Sequence, residues 1–205
     1  MYKAVSCNSC TVPAVLAALQ LNVLPKGCYA EFGVFRGGSF TKVLKALDKP
    51  SEQLITMCYG FDSFVGFPPP KTKTEGVYRE GTMSDTNYDD VCQHVASINA
   101  KTPYKLIKGF FEDSFKTIEL EPISVCLVDC DSYTSSLSVL EYVKLYMQDE
   151  AVIVFDDYNL QDGCQKAAID NFLETNENVK LTHIKDISTP EWTVPIYRWN
   201  ARIRN

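Results

Sequence analysis

The segment Ile123-Ser-Val-Cys-Leu-Val-Asp-Cys-Asp-Ser132 joins a largely apolar run to acidic residues. A second segment, Ala151-Val-Ile-Val-Phe-Asp-Asp-Tyr158, repeats this arrangement. Runs of this kind are typical of central parallel strands, because such strands are buried on both faces of the sheet. We therefore predict strands over 123–128 and 151–155, each followed at once by carboxylates.

Shorter apolar runs flank these two segments and alternate with stretches of helical periodicity. The alternation predicts an α/β fold, a Rossmann-like doubly wound sheet of seven strands that is mostly parallel. No helix separates the last two strands, so we expect the last strand to be antiparallel. The other predicted strands are 28–32, 54–61, 105–108, 179–185 and 193–199, and the predicted helices are 39–47, 86–99, 131 or 132 to 147, and 163–175.

The length of 205 residues predicts a single domain over 1–205. Within it we expect residues 1–27 to form an N-terminal helical extension. Residues 65–84 fall in a long predicted loop that contains the triplet Pro68-Pro69-Pro70. Loops of such length inside a compact domain are usually functional, so this segment is a candidate lid.

Composition argues against several partners and compartments. The 20 Lys and Arg against 26 Asp and Glu leave a net charge of −6, which disfavours binding to nucleic acid or to an anionic membrane. The N-terminus lacks the basic start and apolar core of a secretory signal, and no apolar run approaches the length of a membrane span. The eight scattered cysteines favour the cytoplasm over a disulfide scaffold, and the lone pair Cys7 and Cys10 lacks the second pair typical of zinc sites.

A glycine-rich turn follows the first predicted strand, in Glu31-Phe-Gly-Val-Phe-Arg-Gly-Gly-Ser39. Glycines at a strand-to-helix turn let backbone N–H groups approach a phosphate or a carboxylate closely. The spacing fits neither the dinucleotide fingerprint nor the P-loop, and a simple tight turn would also explain it. Glu31, at the end of the strand, could accept a cationic amine.

Two further strand ends carry candidate ligand groups. Asp62 follows the second strand, where an acidic residue often holds a ribose diol, although it could also cap a turn. After the third strand comes Gly109-Phe-Phe111, whose aromatic rings could stack on an adenine or pack in the core.

The acidic residues after the two central strands are the strongest signal. If the strands are neighbours, about 4.8 Å apart, then Asp129, Asp131, Asp156 and Asp157 converge. Two such charges about 4 Å apart repel by about 4 kcal/mol at an effective dielectric near 20, so either protons or a cation must be bound. Oxygen ligands suit Mg²⁺, Ca²⁺ or Mn²⁺. Helix capping explains one acidic residue per turn but not two.

Six ordered motifs between residues 28 and 175 resemble those of the macrocin O-methyltransferase (TylF-type) family. The resemblance implies a class I methyltransferase fold, S-adenosylmethionine as methyl donor, and Mg²⁺-assisted methylation of a hydroxyl on a sugar or glycoside. It also allows a homo-oligomer. The motifs are Glu31–Ser39, Phe61–Pro68, Gly109–Ser114, Leu127–Tyr133, Val154–Tyr158 and Gly163–Ala168.

The resemblance also implies a role for individual residues. Asp131 would be the general base. The other roles divide between the parts of the cofactor and the metal: Glu31, Gly33, Arg36 and Ser39 for the methionine part, Asp62 and Ser63 for the ribose, Gly109 and Phe110 for the adenine, and Asp129, Asp156 and Asp157 for the cation.

Two alternatives remain open at this point. A Mg²⁺-dependent phosphohydrolase or phosphotransferase could use the pairs Asp129/Asp131 and Asp156/Asp157. However, haloacid-dehalogenase-like enzymes begin with their Asp-x-Asp strand, whereas three strand–helix units precede it here. A non-catalytic cofactor-binding module would not need four carboxylates at neighbouring strand ends.

Overall fold

A computed structural model describes residues 10–48, 54–71, 79–158, 163–190 and 192–201. Seven strands form one sheet in the order β3-β2-β1-β4-β5-β7-β6. The strands are β1 (Gly27–Phe32), β2 (Ile55–Asp62), β3 (Tyr104–Lys108), β4 (Ile123–Val128), β5 (Met147–Phe155), β6 (Val179–Ser188) and β7 (Thr193–Ala201). The helices are α1 (Thr11–Leu19), α2 (Gly38–Leu47), α3 (Tyr88–Ser97), α4 (Phe111–Ser114), α5 (Tyr133–Val143) and α6 (Cys164–Thr175).

Strands β1 to β5 run parallel, and β7 inserts antiparallel between β5 and β6. The predicted fold class and the antiparallel last strand are therefore confirmed.

The register between the parallel strands decides which residues meet at the carboxyl edge of the sheet. Phe61, Phe32, Val128 and Phe155 are successive Cα partners across β2, β1, β4 and β5. The residues that follow these four consequently emerge together at the carboxyl edge of the sheet.

The two faces of the sheet bury separate apolar clusters. On one face Phe32, Val128 and Phe155 pack with residues of α5 and α6. On the other face Leu127 and Val154 pack with residues of α1, α2 and α3. Alternate residues of β4 thus enter opposite cores, which explains why the strand is fully buried and apolar except at Ser124.

Some predicted element boundaries were wrong. The helix expected to reach Met147 ends at Val143, because Met147 begins β5 and pairs with Ile123. Strand β6 extends to Ser188, since its last residues pair with the start of β7. Apolar periodicity could not separate the end of α5 from the start of β5, because both contribute buried residues to one core.

The predicted lid is described in two parts, 65–71 and 79–84, and its residues 72–78 lie outside the described ranges. The two parts are joined by backbone hydrogen bonds from Phe67 N to Thr82 O and from Gly81 N to Phe67 O, each 3.0 Å.

Helix α1 occupies the middle of the predicted N-terminal extension and packs against α2 and β7. Cys10 is buried and Cys7 lies outside the described residues. Within the described chain, no helix has the length and apolar character needed to cross a membrane.

Candidate functional site

The site is built on the carboxyl edge of β1, β4 and β5. Parallel pairing continues one residue beyond the strands. Asp129 N donates to Phe32 O at 2.9 Å, and Asp156 N donates to Val128 O at 3.0 Å. These two bonds fix the backbone of both acidic residues, so their side chains leave the sheet at the same edge.

Asp129, Asp156 and Asp157 form an acidic cluster at this edge. Each offers a carboxylate oxygen, and these oxygens all lie within 4.8 Å of one another. Asp156 and Asp157 are each only 1% exposed. Among the described residues, no lysine, arginine or histidine forms an ion pair with the three. The predicted convergence of these carboxylates is therefore present in the structure.

Burial raises the pKa of all three acids, and repulsion by neighbouring carboxylates adds to the rise at Asp129 and Asp157. For Asp129 desolvation is the largest cause, followed by the charges of Asp156 and Asp157, and its pKa lies well above the usual value. The pKa of Asp157 is also raised well above the usual value, mainly by desolvation. Desolvation raises the pKa of Asp156 to about 6. Full ionisation is thus unfavourable unless a cation is bound.

Asp131 lies beside the cluster and is attached to it through Asp157. Its backbone N–H donates to Asp157 Oδ2 at 2.9 Å, and its φ of 52° is in the left-handed region. The Cys164 thiol donates to the carbonyl of Asp131 at 3.5 Å. The structure therefore brings Asp131 to the three predicted metal ligands and places it just before Ser132, the N-cap of α5.

Gln165 supports the cluster from α6 and was missed at the level of sequence. Its side chain is fully buried. Its Oε1 accepts from Asp157 N at 3.1 Å, and its Nε2 donates to Val128 O at 3.3 Å. One amide thereby ties the ends of β4 and β5 together. A polar residue on the buried face of a predicted helix was the signal that could have indicated this role.

Asp156 is held from a different part of the chain. Thr11 Oγ1 donates a hydrogen bond to Asp156 Oδ1, and both residues are 1% exposed. Trp192 lies near the same carboxylate and lowers its pKa by favouring the ionised form. Sequence reasoning missed both residues, because neither belongs to a strand-end motif.

Glu31 and Ser39, both predicted at the cofactor, are in contact. Glu31 is fully buried, and its two oxygens accept from Ser39 Oγ at 2.5 Å and from Tyr29 Oη at 2.6 Å. Desolvation raises the pKa of Glu31 to about 7. A buried carboxylate of this kind can bind a cationic amine at the end of β1.

Gly33 is required for close approach between two strand-end turns. Its φ is 105°, and a Cβ on it would lie 1.7 Å from the carbonyl oxygen of Asp129. A side chain at this position would separate the turn after β1 from the acidic turn after β4.

Asp62 organises two turns. Its Oδ2 accepts from Phe35 N and its Oδ1 from Phe64 N, each at 2.7 Å. Both phenylalanines have positive φ, 49° and 55°, so the carboxylate stabilises a backbone conformation that non-glycine residues rarely adopt. The turn interpretation of Asp62 is therefore realised, and its ribose role stays a prediction.

The remaining predicted cofactor residues lie near Asp62, with one exception. Gly109 N donates to Asp62 O at 2.9 Å, Phe110 is the N-cap of α4, and Ser63 Oγ donates to Gly66 O at 2.7 Å. Phe111 packs in the core with its ring 6.0 Å from that of Phe32. Arg36 is exposed and forms an ion pair with Asp85, so its side chain does not join Glu31.

Comparison with known proteins assigns the chain to a protein family. The family model described as macrocin-O-methyltransferase (TylF) matches residues 14–192. The chain belongs to this macrocin O-methyltransferase family. A search of curated proteins finds no significant match. The predicted family and the predicted S-adenosylmethionine-dependent O-methyltransferase activity are thereby confirmed.

Solved structures similar to this TylF-family protein have the same fold. The O-methyltransferase NovP is 20% identical with a TM-score of 0.72, and the alignment covers 94% of this chain and 77% of NovP. The calicheamicin methyltransferase CalS11 is 16% identical with a TM-score of 0.67, covering 92% and 77%. An apo structure of CalS11, a TDP-rhamnose 3'-O-methyltransferase, is 18% identical with a TM-score of 0.63 over the same shares. Membership of an O-methyltransferase family rules out both the phosphohydrolase and the non-catalytic alternatives.

Proposed function

We propose that this TylF-family protein is a divalent-cation-dependent O-methyltransferase that methylates a sugar or glycoside hydroxyl. The observation that carries the proposal is the convergence of Asp129, Asp156 and Asp157 beside Asp131. The sugar acceptor is supported by the description of the structural neighbour CalS11 as a TDP-rhamnose methyltransferase. The net charge of −6 favours a small-molecule acceptor over a nucleic acid.

The acidic cluster fits a hard divalent cation. Carboxylate oxygens are the ligands that Mg²⁺ prefers, and three of them are within 4.8 Å of one another. In the described part of the chain, Asp156 Oδ2 is buried without a hydrogen-bond partner, which is unfavourable unless a ligand satisfies it. Asp129, Asp156 and Asp157 would hold the ion, which when bound lowers the pKa of a coordinated hydroxyl and orients it.

The groups at the ends of β1 and β2 fit S-adenosylmethionine, which supplies an electrophilic methyl group. Glu31 would bind the cationic amine of the methionine part, and Ser39 holds the Glu31 carboxylate in place. Gly33 lets the turn after β1 approach the turn after β4 closely. Arg36 pairs with Asp85, so its side chain is not placed with Glu31 in this part of the proposed site. The ribose would lie at Asp62 and Ser63, and the adenine at Gly109 and Phe110.

Asp131 is proposed as the general base. A sugar hydroxyl is a poor nucleophile until its proton is removed, and a carboxylate beside the acceptor can take that proton. The backbone bond from Asp131 N to Asp157 Oδ2 keeps the base beside the acidic cluster. Positioning of the hydroxyl between these groups contributes several kcal/mol, on the order of 7 or more in favourable intramolecular cases.

The proposal is tested by transfer of a labelled methyl group from S-adenosylmethionine to a panel of nucleotide sugars and glycosides. We expect transfer to a hydroxyl, loss of transfer on chelation, and recovery on addition of Mg²⁺. Asp131→Asn should lower kcat by 100-fold or more, roughly the contribution of a general base. The matched control is Asp170→Asn, because Asp170 is exposed on α6 and pairs only with Lys166 among the described residues. Turnover that is unaffected by chelation would contradict the role of the cation.

A further inference from the structure

The N-terminal helix contacts the acidic cluster through its first residue. Thr11 begins α1, and its hydroxyl donates to Oδ1 of Asp156, 145 residues away in the sequence. Both side chains are almost completely shielded from solvent. A buried hydroxyl-to-carboxylate bond of this kind is a charge-assisted hydrogen bond, which is stronger than one between neutral groups.

A second contact joins the start of α1 to the residue that precedes β7. The Cys10 thiol donates to the carbonyl of Trp192 at 3.9 Å, and Cys10 is buried. Nε1 of Trp192 is buried and has no hydrogen-bond partner among the described residues. The start of α1 therefore contacts both the end of β5 and the residue before β7, two segments that lie far from it in the sequence.

The hydroxyl of Thr11 distinguishes the two oxygens of Asp156. Oδ1 accepts from Thr11, whereas Oδ2 is buried and has no hydrogen-bond partner among the described residues. A carboxylate that is held at one oxygen cannot rotate freely, so its other oxygen stays directed to one place. Groups that orient a metal ligand in this way typically contribute a factor of about 10–100 to metal affinity.

We propose that Thr11 is a positioning residue for the cation, because its hydroxyl fixes one oxygen of Asp156 and leaves the other to bind the ion. This inference rests on the proposed cation dependence of the enzyme. It extends the metal site beyond the strand-end motifs to the N-terminal helix. Since the contact is reciprocal, binding of the cation should also stabilise the start of α1 against the sheet.

The test is a titration of the whole chain with Mn²⁺, in which electron paramagnetic resonance measures the free ion and no S-adenosylmethionine is present. Thr11→Val removes the hydroxyl but keeps the shape, and we expect it to weaken Mn²⁺ binding about 10–100-fold. Thr11→Ser keeps the hydroxyl and should restore binding to within a few-fold of the wild type. Thr41→Val is the matched control, because Thr41 is equally buried in α2 and its hydroxyl bonds to Gly37 O instead.

The outcomes separate the two proposals. Wild-type protein that leaves the Mn²⁺ signal unchanged would overturn the metal site, and the role of Thr11 with it. Wild-type binding together with unchanged binding by Thr11→Val would overturn the role of Thr11 alone. Equal weakening by Thr11→Ser or by Thr41→Val would also overturn it, because the effect would then not come from the hydroxyl at Asp156. Thermal unfolding of each variant verifies that it is folded.

Discussion

Replacing Asp156 by asparagine should stabilise the metal-free protein and abolish its response to a divalent cation. The change keeps the size of the side chain and removes one negative charge from the acidic cluster. The amide oxygen of asparagine can still accept the hydrogen bond that Thr11 donates to Asp156. The variant therefore isolates the effect of charge from that of packing.

The magnitude follows from two independent considerations. Two unit charges whose oxygens lie within 4.8 Å repel by at least about 3.5 kcal/mol at an effective dielectric near 20. Separately, the pKa of Asp156 is raised from 3.8 to about 6, a change that corresponds to about 3 kcal/mol when the carboxyl is ionised. Both considerations lead to the same order of stabilisation for Asp156→Asn at a pH above 6, the first of them where a neighbouring carboxylate is also ionised.

The sign of the pH dependence follows from the raised pKa. Between the unfolded pKa near 4 and the folded pKa of about 6, the folded protein binds more protons at Asp156 than the unfolded chain. The stability of the metal-free wild type should therefore fall as the pH rises through this window. Asp156→Asn should therefore raise the free energy of unfolding of the metal-free protein by about 3 kcal/mol at pH 8 and by roughly half of that at pH 5.

The assay is thermal unfolding at pH 5 and pH 8, in chelator and in Mg²⁺. For a chain of this size, about 3 kcal/mol corresponds to a rise in Tm of roughly 6–12 °C for the variant in chelator at pH 8. The wild type should gain about 2.7 kcal/mol when Mg²⁺ is at 100 times its Kd, and the variant should gain much less. Asp170→Asn, which removes an exposed charge paired with Lys166, should shift the stability by only about 0.5 kcal/mol.

Two results would refute this reasoning. A lower Tm for Asp156→Asn than for the wild type in chelator at pH 8 would show that ionised Asp156 is not under electrostatic strain. A wild-type Mg²⁺ response in the variant would show that the ion does not bind at the acidic cluster.

Three further predictions concern the cofactor side of the site. Gly33→Ala should lower the free energy of unfolding in urea by more than about 3 kcal/mol, because its Cβ would lie 1.7 Å from the carbonyl oxygen of Asp129. A decrease below about 1 kcal/mol would contradict this. The pKa of Glu31 is about 7, and the proposed role requires its ionised form, so S-adenosylmethionine affinity should rise from pH 6 to pH 8 in calorimetry. Glu31→Gln should lose that rise, and a variant that keeps it would exclude Glu31 as the group that binds the amine. Asp62→Ala should weaken S-adenosylmethionine binding at least about 10-fold, because it removes the proposed ribose ligand and the acceptor for two backbone N–H groups. Unchanged calorimetric affinity would show that neither loss affects cofactor binding.

Much of the site could be predicted because its residues follow strands directly. A parallel sheet brings strand ends to one edge, so Asp129 and Asp156 were expected to converge if their strands were neighbours, and the structure pairs β4 with β5. The family resemblance implied that Glu31 and Ser39 both lie at the methionine part of the cofactor, and the structure shows the two side chains in contact. By contrast, the direction of Arg36 toward Asp85 depends on a loop far along the chain.

The sequence by itself determined the α/β class, the antiparallel last strand and the carboxylates that end β4 and β5, because these depend on local apolar patterns and on the order of elements. Only the tertiary structure decided that Thr11, Trp192 and Gln165 support those carboxylates, and that Asp62 holds the turns at Phe35 and Phe64. These contacts join segments that are distant in sequence or depend on the backbone conformation of loops. No periodicity encodes such contacts, because they form only when the sheet edge and the helices packed on it create a buried environment that each polar group must share with a partner.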